Sequence, residues 1–366
     1  MHLGKIFVIF TLPKPAAMKK YIFSLFVFLS FYNFTKAQAP QFAVVRPDGT
    51  TYLCLTLDSA YNKAVNGDYL YLPGGTYSFS NTIKKKLFIY GAGHHPDSSL
   101  VTGKTNINNH IQIDSGAAGG SIEGVNLINS NFYFYYSGKK INGYTIKRSR
   151  FSFLYFSAGQ PAPIDSFPAN VLITECVLQS IDCSGGQATN NYFLKNVIQS
   201  QLTNASFCTI KNNVFLYSSF SLNGIVSNCT VENNIFLSNS PILNGQGCNS
   251  SYYNNLKVLV NPFLLNCQPN AGLEVGTISV PSANDIFIAF NPDFSNYPYI
   301  DNYHLKPTCP GINAGTDGTD VGIYGTAQPT SEGWVPSNPH IYFKQVAPQT
   351  NSSGQLQIQF KVRTNN

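Results

Sequence analysis

Apolar and polar residues alternate along the middle of the chain, and the alternation breaks at the same point in each repeat. Thr209-Ile210-Lys211-Asn212-Asn213-Val214-Phe215-Leu216 is echoed 21 positions later by Thr230-Val231-Glu232-Asn233-Asn234-Ile235-Phe236-Leu237. A further 21 positions bring Tyr253-Asn254-Asn255-Leu256. Earlier copies are Leu194-Lys195-Asn196-Val197-Ile198 and Thr174-Glu175-Cys176-Val177-Leu178. With the apolar residue after the break as anchor, the series is Val125, Phe151, Val177, Val197, Val214, Ile235 and Leu256, at spacings of 26, 26, 20, 17, 21 and 21.

Each unit is too short for a helical hairpin and follows a period of two, the signature of strands. On that period Thr209, Lys211, Phe215 and Tyr217 face outward, and Ile210, Val214 and Leu216 face inward. Asparagine tolerates the left-handed backbone of a tight bend. Asn196, Asn213, Asn234 and Asn255 therefore predict a ladder of stacked amides about 4.8 Å apart. The architecture this implies is all-β: a single-stranded right-handed parallel β-helix, a solenoid of about ten rungs over residues 42–326. The repeated leucine framework of leucine-rich repeats is missing.

Before the repeat, Leu57-Asp58-Ser59-Ala60-Tyr61-Asn62-Lys63-Ala64-Val65 reads as a short capping helix. Asn66-Gly67-Asp68-Tyr69-Leu70-Tyr71-Leu72-Pro73-Gly74-Gly75-Thr76-Tyr77 and Leu87-Phe88-Ile89-Tyr90-Gly91-Ala92-Gly93 follow it. After the repeat come Tyr303-His304-Leu305-Lys306-Pro307, Cys309-Pro310-Gly311-Ile312-Asn313-Ala314-Gly315 and Asp320-Val321-Gly322-Ile323-Tyr324-Gly325. The opening resembles that of the secreted pectate-lyase-like right-handed β-helix superfamily, and the close resembles that of bacterial secreted β-helix proteins. The resemblance implies the fold. It implies no single activity, since that superfamily holds lyases, hydrolases, epimerases and non-catalytic adhesive or tail proteins. Residues 327–340 read as a linker and residues 341–366 as a β-hairpin, whose alternating Leu356-Gln357-Ile358-Gln359-Phe360-Lys361-Val362-Arg363 predicts a half-buried strand.

The first 37 residues have a different character. Both methionines, Met1 and Met18, lie there. From Met18 the order is Lys19-Lys20, an apolar run from Tyr21 to Phe31, then Thr35-Lys36-Ala37, the layout of a secretory signal that starts at Met18 and is cut after Ala37. Secretion to the cell surface, periplasm or medium is the expectation, with no membrane span after cleavage. The formal charge of +6 includes Lys5, Lys14, Lys19, Lys20 and Lys36 in that leader, so the remainder carries +1. A nearly neutral body offers no footprint for nucleic acid. Charged residues make up 11% and aromatics 14%, a surface polar without being ionic.

Candidate chemistry is sparse. Hydrolases on this scaffold need two or three carboxylates facing one sugar. Uronate lyases need a neutraliser, usually Ca2+, and a Lys or Arg base. Asp114, Glu123, Asp165, Glu175, Asp182, Glu232 and Glu274 are scattered, and Glu175–Lys195 and Lys211–Glu232 read as cross-rung surface ion pairs. One basic group, Lys139, Lys140, Lys147, Arg148 and Arg150, lies beside the aromatic runs Phe132 to Tyr136 and Phe151 to Phe156. Read as a groove, it offers Tyr133, Tyr135, Tyr136, Lys147 and Tyr155 for sugar binding, and Arg148 or Arg150 as base or charge neutraliser.

The remaining candidates read as structure. His94-His95 form a turn pair without spaced partners for a metal, and Asp317 and Asp320 sit among turn glycines. Of eight cysteines, Cys208, Cys229, Cys248 and Cys267 recur at 21, 19 and 19, which predicts a buried stack of thiols. Buried thiols are the expectation, and of the other four, Cys54, Cys176, Cys183 and Cys309, the candidate pair for a disulfide is Cys176–Cys183. No cofactor or resident metal is implied, with Ca2+ admitted only for a lyase. Two functions follow. The first is a non-catalytic surface protein whose long face contacts polysaccharide or a cell-surface protein. The alternative is a polysaccharide lyase for an acidic, uronate-containing glycan.

Overall fold

The computed structural model describes residues 41–134, 140–156, 167–183, 188–216, 222–223, 227–238, 249–258, 263–264, 272–291, 299 and 301–363. The expected leader, Tyr135, Tyr136, Lys139, Tyr217, Cys248 and Cys267 lie outside the described residues. The described residues form a parallel β-solenoid with one short α-helix and a terminal hairpin, and only 6% of them are helical.

Each coil has three faces. On the first, ten strands stack in parallel from Tyr69–Tyr71 to Glu274–Val275. On the second, another ten run from Gly75–Tyr77 to Ile278–Val280. Two longer strands, Arg150–Tyr155 and Val177–Asp182, bend round the corner onto the third face. There they pair with Phe132–Phe134 and Leu202–Thr203. Helix Leu57–Lys63 closes the amino-terminal end over the core, burying Leu57, Ala60 and Tyr61. Its start is set by a reciprocal cap. Thr56 Oγ1 accepts from Ser59 N at 3.1 Å, and Ser59 Oγ accepts from Thr56 N at 3.2 Å.

The corner between the first and second faces holds one left-handed residue per rung: Gly124, Arg148, Glu175, Lys195, Asn212, Asn233, Asn254 and Gly276. The next residue points inward and forms the ladder. Asn213 N and Nδ2 both donate to Asn234 Oδ1, each at 2.9 Å, and Asn234 N and Nδ2 donate to Asn255 Oδ1, each at 3.0 Å. Each spare amide hydrogen goes to a backbone carbonyl, Asn234 Nδ2 to Ile210 O at 2.8 Å and Asn255 Nδ2 to Val231 O at 2.7 Å. All four ladder asparagines are fully buried.

The left-handed residue also corrects the expected phase. Lys211 and Asn212 both face outward, so alternation restarts one position late and Phe215, not Val214, enters the core. Phe215 stacks on Phe236 there, ring centres 4.7 Å apart and planes 8° from parallel. The anchor series shifts too, because Arg150 pairs with Val177 and with Asn126. Val125 and Ser149 occupy the ladder position instead, with Ser149 Oγ accepting from Val125 N at 3.3 Å. A serine there carries no asparagine mark, so the pattern slipped.

Of the expected cysteine stack, Cys208 and Cys229 form a second ladder at the corner before the first face, and Ser250 rather than Cys248 takes the next place in it. Cys208 N donates to Cys229 Sγ at 3.4 Å, and Cys229 N to Ser250 Oγ at 3.1 Å. The thiols replace asparagine as acceptors as well as filling space. No bridge joins Cys176 to Cys183; both are free and buried. The six-residue strand Val177–Asp182 separates them and spans about 20 Å when extended, far beyond the roughly 7 Å a disulfide allows between Cα atoms.

Val177, Val197, Val214, Ile235 and Leu256 point outward yet are buried, because the chain after Leu305 runs back along the solenoid and covers them with Val321, Ile323 and Trp334. This strap is read by the left-handed column. Asn254 Nδ2 donates to Ala314 O at 2.8 Å, Asn233 Nδ2 to Thr316 Oγ1 at 3.1 Å, Asn212 Nδ2 to Gly322 O at 3.0 Å and Lys195 Nζ to Gln328 O at 2.8 Å. Residues 327–340, expected as a linker, thus lie against the solenoid, and Trp334 is buried. Beyond them His340–Val346 pairs antiparallel with Ile358–Arg363. The second of these strands is exposed throughout rather than half-buried, because no described element covers its apolar face.

Candidate functional site

The third face carries one outward column through successive rungs. Gln112 is in register with Tyr133, Tyr133 with Tyr155, Tyr155 with Asp182 and Asp182 with Thr203. Parallel pairing repeats at about 4.8 Å, so equivalent side chains stack directly. The Tyr133 and Tyr155 rings lie 5.1 Å apart and 10° from parallel, and Phe153 adds a third ring 5.7 Å from Tyr155. Asn131 Nδ2 donates to Tyr133 Oη at 2.9 Å, and His110 meets the same ring edge-on at 5.4 Å. Beside the rings, Asp182 Oδ1 accepts from Thr203 Oγ1 at 3.0 Å and from Asn204 Nδ2 at 3.2 Å. Burial pushes the Tyr155 phenol up, with smaller contributions from Tyr133 and Asp182. The result is a half-buried aromatic platform continued by the Asp182 carboxylate, the Thr203 hydroxyl and the Asn204 amide.

The structure brings Tyr133 and Tyr155 together and sends the basic residues elsewhere. Lys147 ends a strand of the first face, in register with Glu123 and Thr174. Arg148 occupies the next corner and is buried, with Nε 2.6 Å from Glu175 Oε2 and Nη1 3.4 Å from Glu123 Oε1. Glu175 also meets Lys195 at 3.3 Å. That group is a buried ion chain, unlike Lys211–Glu232, which is a partly exposed pair at 2.9 Å. The guanidinium of Arg148 is thereby held largely away from solvent.

Arg150 lies on the second face. Its Nη1 donates to Tyr299 Oη at 3.3 Å, and its guanidinium stands 5.5 Å from that ring's centre. Lys104 Nζ is 5.1 Å from the same ring. His94 Nδ1 shares a 3.3 Å hydrogen bond with Tyr299 Oη. Burial, then His95, Arg150 and Lys104, hold His94 well below the ordinary histidine range, so it stays neutral. His94 and His95 converge on Tyr299 and Trp334 rather than pointing apart, since the turn that carries them is not extended.

Asp317 and Asp320 serve their turns. Asp317 Oδ1 accepts from Thr319 N at 3.2 Å and Oγ1 at 2.7 Å, and Asp320 Oδ1 from Asn313 N at 2.9 Å. Among the described residues no group of three or more His, Cys, Asp or Glu is arranged to hold a metal ion, and no helix is long and apolar enough to cross a membrane. Burial pushes the Cys176 thiol up to about 12, which keeps it protonated and inert. Asp182, Thr203 and Asn204 were not singled out by sequence reasoning as partners of the tyrosines. The signal that finds them is register: Asp182 and Thr203 follow Tyr155 at one-rung intervals, and Asn204 is the residue after Thr203. No family model and no curated protein matches this chain in sequence.

Proposed function

We propose that the chain is a secreted, non-catalytic glycan-binding solenoid that lays a polysaccharide across the third face. The observation that carries this is the Tyr133–Tyr155 platform in register with Asp182 and Thr203. Flat aromatic faces stack on the C–H faces of sugar rings, while carboxylate, amide and hydroxyl groups meet their hydroxyls. The resemblance of both ends to secreted β-helix proteins supports the same reading. Lyase chemistry finds less support, because Arg148 is enclosed by Glu123 and Glu175, and Arg150 is engaged with Tyr299.

The test is retention of the full chain in affinity gels carrying pectate, alginate, chondroitin or neutral plant and bacterial polysaccharides. At least one polymer should retard it, and Tyr155→Ala should weaken that retention roughly tenfold, the equivalent of about 1.4 kcal/mol. Retention by none of them, or retention indifferent to Tyr155→Ala, overturns the reading. New double-bond absorbance in the pectate, alginate or chondroitin samples would establish the lyase instead.

A further inference from the structure

A second concavity, which shares no lining residue with the aromatic column, lies where the end of the strap meets the loop after His95. It encloses about 590 Å³ and is lined by His95, Asp97, Tyr299, Asp301, His304, Tyr324, Glu332 and Trp334 among others. Its elements come from three distant stretches of chain. Ser98 Oγ donates to Gly333 O at 2.8 Å, which ties the loop to the strap. The volume lies within the roughly 300–1,000 Å³ of small-molecule sites.

Its walls combine rings with hydrogen-bonding groups. His304 and Tyr324 stack at 3.8 Å and 8°, His95 stacks on Trp334 at 5.9 Å, and Tyr299 stands edge-on to His95 at 4.9 Å. Glu332 Oε1 lies 2.7 Å from His304 Nε2, and Glu332 Oε2 accepts from Tyr324 Oη at 3.4 Å. The Glu332 side chain is 72% exposed and that of His304 44%, so both groups reach solvent and exchange partners cheaply. Asp301 is tied at one oxygen to Asn291 N, at 3.0 Å, and at the other to Tyr303 Oη, at 3.2 Å. Each carboxylate oxygen has two lone-pair sites, so acceptor capacity remains.

The charge of the lining decides the ligand class. Among the described lining residues, Asp97, Asp301 and Glu332 stand against one fixed cation, Arg363, whose Nε already donates to His340 Nε2 at 3.1 Å, while Lys104 and Arg150 reach the Tyr299 ring without lining the cavity. Like charges converging on one site repel an anion. We propose that this cavity is a separate subsite for one uncharged pyranose ring, stacked on the aromatic walls and hydrogen-bonded through its hydroxyls to Glu332, Asp301 and His304. A uronate or sulfated sugar is rejected there. The assignment rests on the glycan reading for its ligand class and on nothing from the third face.

Trp334 is the sole tryptophan of the chain, so its emission reports on this cavity directly. Titration of the full chain with neutral gluco-, manno- and xylo-oligosaccharides should change that emission saturably with at least one series. Oligogalacturonates should bind at least tenfold more weakly. Glu332→Gln, at an exposed position, and His304→Ala, at a half-buried one, should each weaken the neutral ligand roughly tenfold, while Tyr155→Ala leaves the titration unchanged. No saturable change with any neutral series, tighter binding of the uronates, or indifference to both cavity variants overturns the subsite. In those cases polymer retention that still depends on Tyr155 leaves the third-face reading standing. A working subsite with retention indifferent to Tyr155 overturns the third-face reading alone.

Discussion

Glu123 accepts two hydrogen bonds from Ser337, 2.8 Å from its N and 2.6 Å from its Oγ, across 214 residues of chain. Its Oε1 also meets Arg148 at 3.4 Å. The far end of the strap is therefore pinned to the head of the buried ion chain Glu123–Arg148–Glu175–Lys195, and Arg148 holds three parts of the fold at once.

Arg148→Ala should cost about 3–5 kcal/mol, because it leaves Glu175 buried without its main partner. Urea midpoints and slopes measure this. A loss of glycan binding in Arg148→Ala would then report unfolding rather than a role in recognition. A cost below about 1 kcal/mol would show that the chain is hydrated and weak.

Asn234→Ala should destabilise more than Asn255→Ala. Asn234 has asparagine partners above and below, whereas Asn255 has one only on the Asn234 side. Each orphaned buried group costs about 1–3 kcal/mol. Glu232→Ala, which breaks a partly exposed pair, should stay within about 0.5 kcal/mol. Matched urea titrations of the three variants check the order.

Gly124→Ala tests the strap. The backbone there is left-handed, φ 72°, and an added Cβ would come within 2.6 Å of Pro336 Cγ and 2.9 Å of Gly91 O. Gly143 has nearly the same backbone, φ 70°, with nothing within 4 Å of its Cβ position. Gly143→Ala should therefore show the backbone strain alone, about 1–2 kcal/mol. Gly124→Ala should exceed it and open the strap to protease cleavage between residues 326 and 340. Equal stability and equal cleavage would mean the strap is loosely seated.

Acid should weaken the fold in two stages. Burial holds His94 neutral, so below about pH 6.5 the unfolded chain takes up a proton the folded one refuses, and stability falls. Burial also opposes ionisation of Glu175, but the hydrogen bond and charge of Arg148, with Lys195 and Lys147, outweigh it and hold the carboxyl below the ordinary glutamate range. A carboxyl depressed in this way contributes stability that is complete above the unfolded value of about 4.3 and is lost as pH falls through the folded one. Urea midpoints from pH 8 to pH 3 should show both stages. His94→Phe should flatten the first and Glu175→Gln the second; an unchanged profile in either variant refutes its assignment.

The rung period, the asparagine ladder, the capping helix and the stacking of Cys208 on Cys229 are legible in the sequence, whereas the expected continuation of the thiol stack is not met, because Ser250 takes the next place. Those features are legible because each rung hydrogen-bonds the next at a nearly constant separation, 21 residues for Asn213 to Asn234, so the constraint recurs as a pattern. Tertiary structure alone decided which aliphatic residues lie under the strap, where Arg148 and Arg150 end, and that His95, His304 and Glu332 share a cavity. The contacts responsible join residues 83, 110 and 214 positions apart, each made once. A contact that occurs once leaves no period. A single left-handed residue per rung further inverted the alternation, so Val214 and Leu216, expected inward, lie under the strap and Phe215, expected outward, lies in the solenoid core.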